Sequence, residues 1–125
     1  MPNAGFAAAS ALALITFAVH AFVGGIHVVR PLLAVQGLSR ASRWLNYYCW
    51  HMTTLTLLVM AAMFAYSALE PAARGFGVLF TVMALAFSLL CIAVAIKGGV
   101  QPWRFPATTL FAAVALAGLC GLSVP

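Results

Sequence analysis

Apolar residues fill four long blocks of the chain, residues 6–29, 44–69, 76–96 and 106–124, and nearly all the basic residues fall in the short stretches between them. Each block exceeds the roughly 18 residues that mark a transmembrane helix, because about 20 helical residues span a hydrocarbon core. Period-two alternation, the mark of a membrane barrel, is missing. The connections are too short to hold a soluble domain. The pattern therefore predicts a single all-α integral membrane domain over residues 1–125, an up-down bundle of four transmembrane helices with short loops. The first block has no basic residue ahead of it and is longer than a secretory core, so it reads as a retained span.

Composition sharpens this picture. The chain is 66% hydrophobic and 6% charged, where a soluble domain carries about a quarter charged residues. Mean hydropathy is +1.12. Arg30, Arg40 and Arg43 lie between blocks one and two, and Lys97 and Arg104 between blocks three and four, against Arg74 alone on the other side. Basic residues collect in cytoplasmic loops, so loops 30–43 and 97–105 are expected in the cytoplasm, with both termini outside, in an inner membrane. The net charge of +5 then records topology and attraction to the lipid bilayer. It is not striped along one face, so nucleic acid is not an expected partner. Trp44, Tyr47, Tyr48, Trp50 and Trp103 read as interfacial anchors.

Chemistry is narrowed by one absence. Glu70 is the sole acidic residue, which removes paired-carboxylate hydrolysis, carboxylate-bound calcium or magnesium, and Ser-His-Asp triads. An enzyme is therefore the lesser expectation. Cys49, Cys91 and Cys120 form no CxxC pair and read as buried apolar residues.

Histidine is what remains. "HAFVGGIHVVRP", residues 20–31, places His20 and His27 seven apart, on one face of an α-helix at about 10.5 Å. Counted from the nearest loop arginine, His27 lies ~4.5 Å inside, His20 ~15 Å and His51 ~12 Å. His20 and His51 thus share a depth on consecutive helices. They are the candidate ligands for a metal or a b-type haem, or the candidate hydrogen-bond partners of a quinone together with Tyr47 and Thr54. Arg30 and Arg43 would serve haem propionates. With Ser88, Cys91, Thr108 and Thr109 at similar depth, a polar-lined cavity opening inward is expected. The plainer reading is that each histidine bonds to a neighbouring helix and each hydroxyl to its own backbone.

Small residues predict packing. Gly24 and Gly25, the series Gly5, Ala9, Ala13, and the series Ala113, Ala117, Gly121 would let helices approach closely, within the chain or between subunits. "GGIHVVRP" and "GGVQPWRFP" also suggest two related hairpins. The leading expectation for function is a non-catalytic accessory subunit packing on a membrane-protein partner or a homo-oligomer. The alternatives are the haem b or quinone site and an oligomeric carrier of a small anion or metal.

Overall fold

A computed structural model describes residues 1–123; the end of the fourth apolar block at Val124 lies outside the described residues. The described residues are helical with no strand, and four helices are long and apolar enough to cross a membrane. We label them α1 (Ala4–Ala34), α2 (Arg40–Leu69), α3 (Arg74–Lys97) and α4 (Pro106–Ser123). Compared with the apolar blocks, α1 and α2 run several residues further into the basic loop. Hydropathy marks only the apolar part of a helix, whereas backbone hydrogen bonding continues through Arg30 and Arg40.

Neighbours in sequence are neighbours in space, and α4 returns to pack on α1, closing a ring of four. Hydrogen bonds at the terminal end fix the alternating directions. The Asn3 N–H donates to the Ala68 carbonyl at the end of α2, and its side-chain amide donates to the Gly121 carbonyl at 2.8 Å. The Asn3 side-chain oxygen also caps α1 by accepting from the Phe6 N–H at 3.1 Å. Arg74 donates to the Leu122 carbonyl, and the Ser67 hydroxyl to Ala73 at 2.9 Å. Glu70 caps the tight α2–α3 turn by accepting from the Ala72 N–H at 3.3 Å. One asparagine and one arginine thereby supply donors to the orphan carbonyls that helix ends leave behind.

The core belongs to this half of the bundle. Phe6, Ala9, Phe64, Phe80 and Val114 lie in one buried cluster, with Leu57 and Phe111 at its inner edge. Small residues make it possible: a methyl group on Gly5 would collide with the Gly121 backbone, and one on Gly77 or Gly121 with the Phe6 ring. Gly118 is held equally close by Thr81. In a bilayer, where lipid is as apolar as leucine, such contacts rather than exclusion from water are what can hold helices together. Ser10 adds a buried hydrogen bond across to the Ala61 carbonyl at 2.8 Å.

The other half differs. From Val19 to Val29, α1 is a π-helix, and its end is marked by the Arg30 N–H reaching the Gly25 carbonyl five residues back. Two sequence features favour the wider turn. The Pro31 ring clashes with an α-helical carbonyl four residues earlier, and Gly24–Gly25 hold the α form weakly. Only Val29 is buried in this segment. The α-helical part of α1 packs closely on α4, but beside the π segment the two helices part.

The expected pair of related hairpins is not seen. Gly24 and Gly25 stay inside a helix, whereas Gly98 caps α3 and Gly99 takes a φ of 68°, breaking the chain before a short 3-10 turn at Pro102–Arg104. Similar letters meet different neighbours. Gly24 packs under an indole, while nothing lies over Gly99 to hold the chain helical.

Candidate functional site

The parting of α1 and α4 leaves a cavity of about 520 Å³ in the basic half of the bundle. Thr16, Leu57 and Phe111 line it on the side of the buried core, and Val28, Phe105 and Pro106 on the side of the basic loops. Its walls are overwhelmingly apolar. The size is that of pockets that enclose small organic molecules.

The expectation of a polar lining is therefore corrected. A cavity occurs at the expected depth, but the hydroxyls turn away from it. Ser88 donates to the Thr108 carbonyl at 2.9 Å, Thr108 to the Cys91 sulfur at 3.2 Å, and Thr109 to the Pro106 carbonyl at 3.2 Å. Each hydroxyl away from water needs an acceptor, and the α3–α4 seam supplies one without help from the cavity. Cys91 alone of this group reaches the wall.

His20 is the polar feature of the inner cavity. Its Nε2 lies 3.2 Å from the Trp50 carbonyl and 3.2 Å from the Thr54 hydroxyl, which itself donates to that carbonyl at 3.1 Å. The imidazole stacks on the Trp50 indole, with centroids 3.9 Å apart and planes 16° apart. Gly24 presses against the same indole: a methyl group there would come within 2.5 Å of Trp50 Cη2. Trp50 is thus held between two residues of the π segment.

His27 lines the same cavity nearer its mouth, and its Nδ1 lies 3.0 Å from the Val23 carbonyl. The α-helical distance between the two histidines does not apply, because the turns between them are wider than α turns.

The structure brings His20 together with Thr54 and not with His51, the partner expected from depth. His51 is exposed, its ring set edge-on to Tyr47 at 4.5 Å and 88°, and it does not line the cavity. Tyr47 in turn meets Trp44 at 5.7 Å. Arg30 is exposed at the end of the π segment. Arg43 ties down the first basic loop through a 2.6 Å bond to the Val35 carbonyl, and its Nε is buried without a partner among the described residues. Gly25 has open space where a side chain would go, so Gly24 alone of that pair makes a close contact. Ala113 and Ala117 are half-buried on α4, and Gly121 is buried under Phe6.

Trp50 is the residue that sequence reasoning misplaced. It was grouped with the interfacial anchors, yet it lies inside the bundle. Its spacing was the available signal, since Trp50 stands one turn before Thr54 and seven residues beyond Arg43, deeper than headgroups reach. Among the described residues no three His, Cys, Asp or Glu side chains gather as metal ligands. No match emerges when the chain is compared with known protein families, with curated protein sequences or with solved structures.

Proposed function

We propose that this chain is a bacterial-type inner-membrane protein that binds a lipid-soluble quinone in the cavity between α1 and α4, with His20 holding the ring. The two basic loops lie in the cytoplasm and both termini outside, as the five-to-one distribution of basic residues favours. One observation carries the reading. A 520 Å³ apolar cavity at membrane depth is lined by two imidazoles, one near each end, and otherwise almost wholly by carbon. An apolar ring with an oxygen at each end fits that distribution, and its tail would leave into lipid where α1 and α4 part.

Haem b is the competing occupant, with Nδ1 of His20 as its axial donor. His51, the partner expected from depth, faces away from the cavity, which favours the quinone. The accessory-subunit reading drew on the small-residue seams. Gly5, Ala9, Ala13 and Gly121 are engaged within the bundle's own core, so those seams no longer call for a second protein.

The test is direct. Protein purified in mild detergent is titrated by calorimetry with a short-chain 1,4-benzoquinone and, anaerobically, with its hydroquinone, alongside Leu110→Trp, which fills the cavity from α4. Saturable one-to-one binding of either, lost in Leu110→Trp, supports the site. Failure of both to bind saturably to the folded wild type overturns it, and a Soret band in the purified protein would assign haem instead.

A further inference from the structure

The cavity's imidazoles are fixed in their tautomers by what lies behind them. A carbonyl oxygen only accepts, so Nε2 of His20, facing the Trp50 carbonyl at 3.2 Å, carries the proton. The Thr54 hydroxyl can accept part of that bond while donating to the same carbonyl. Nδ1 of neutral His20 is then a bare lone pair, with no hydrogen-bond partner among the described residues. It is not sealed off either, since Arg43 Nε is the one sealed, unpartnered side-chain atom among them. At His27 the roles are exchanged. Nδ1 faces the Val23 carbonyl at 3.0 Å and holds the proton, leaving Nε2 as the lone pair.

Both histidines on the cavity wall thus offer acceptors. The side-chain donors beside them are the Trp50 indole N–H, the Cys91 thiol and the engaged Thr54 and Thr16 hydroxyls. A hydroxyl can accept from such a donor while donating to an imidazole, whereas a quinone oxygen can only accept. Thr16 is committed to the Leu12 carbonyl at 2.8 Å. A backbone carbonyl behind each ring is the arrangement that orients an imidazole and fixes its tautomer.

Resting on the quinone reading above, we infer that the site selects the reduced form: the hydroquinone, whose two hydroxyls donate to His20 Nδ1 and His27 Nε2, binds in preference to the oxidised quinone. The quinone presents only acceptor oxygens. At His20, half-buried on the apolar wall, a quinone oxygen would face a lone pair, and a polar group left unsatisfied in such a place is costly. At the exposed His27 the cost is smaller. A site built to accept from a hydroxyl rejects the analogue lacking it far more strongly than a hydrophobic pocket rejects a missing methylene. The expected preference is at least tenfold. For a two-electron couple, tenfold tighter binding of the reduced form raises the bound potential by about 30 mV.

Three probes of one ring shape separate the outcomes under anaerobic calorimetry: a short-chain 1,4-benzoquinone, its hydroquinone, and the dimethyl ether of that hydroquinone. Hydroquinone binding at least tenfold tighter than both others is the expected result. His20→Phe and His27→Phe should each remove most of that preference, read as the ratio of hydroquinone to quinone affinity measured on the same variant. Equal binding of all three, or tighter binding of the quinone, overturns the donor selectivity and leaves the cavity reading standing. Binding of none of them to folded protein overturns the reading beneath it. If either variant fails to fold, the ether comparison in the wild-type protein decides alone.

Discussion

Gly24 and Gly25 are neighbours with opposite duties. A methyl on Gly24 would enter the Trp50 indole, while one on Gly25 would meet nothing within 4 Å. Gly24→Ala must push the indole off His20 or push α1 outward, and overpacking of this kind costs about 1–3 kcal/mol. Gly25→Ala replaces a loose residue by a good helix former at a site with room for it, so it should be neutral or mildly stabilising. The pair is checked by thermal unfolding in detergent, with tryptophan emission reporting on Trp50 in a background of Trp44→Phe and Trp103→Phe. Equal stability and unshifted emission in Gly24→Ala would mean that the indole does not rest on this glycine. The contrast was invisible in the sequence, where "GG" is one motif. Which glycine faces a neighbour depends on the local turn, and that turn is not an α turn.

At the scale of elements, α1 joins two regimes in one helix. Its first half is locked by Asn3, by Ser10 and by close contact with α2 and α4. Its second half is a π-helix with one buried residue. Local opening costs least where buried contacts are few, so amides of residues 19–29 should exchange with deuterium at least tenfold faster than those of residues 7–16. Mass spectrometry of the micelle-bound protein resolves the two segments. Uniform protection along α1 would argue that the π segment is held as firmly as the core. Much of this level was legible in advance. Four apolar helices and their alternation follow from hydropathy because a bilayer admits few other solutions. Counting residues, however, pairs His20 with His51 in depth, and the structure instead sets Thr54, one turn on, against His20 and leaves His51 exposed. The π geometry was not legible, because proline and paired glycines within an apolar run equally suit a kink or a helix end. The apolar lining was missed for another reason. Counting places Ser88 and Thr108 at the right depth but says nothing of which side of the helix they occupy or which carbonyl they find.

The whole molecule has unlike ends, one stitched by Asn3 and Arg74 and carrying both termini, the other bearing the basic loops and the cavity mouth. Its orientation can be measured at two exposed positions. Gly37 has open space around it, and Ala72 is exposed whereas its neighbour Ala73 is buried. In a variant with Cys49, Cys91 and Cys120 replaced by serine or alanine, Ala72→Cys should react with a membrane-impermeant maleimide in whole cells. Gly37→Cys should react only after the membrane is opened. The reverse labelling would turn the bundle over and put the cavity mouth on the outer side.

The helices are also of unequal length. Among the described residues α1 has 31 and α4 has 18, about 46 Å against about 27 Å at α-helical rise, with the π turns shortening α1 somewhat. If the bundle spans a bilayer as proposed, α4 barely matches a ~30 Å hydrocarbon core, and the Phe105–Pro106 side of the cavity would fall at the level of the first acyl carbons rather than in water. A molecule entering there comes from the dissolved pool in the bilayer. Occupancy is then governed by partitioning: diluting the sample with buffer will leave it nearly unchanged, whereas adding empty lipid will deplete it. Affinities for this protein will be constant when expressed as ligand per lipid, and will drift when expressed per litre.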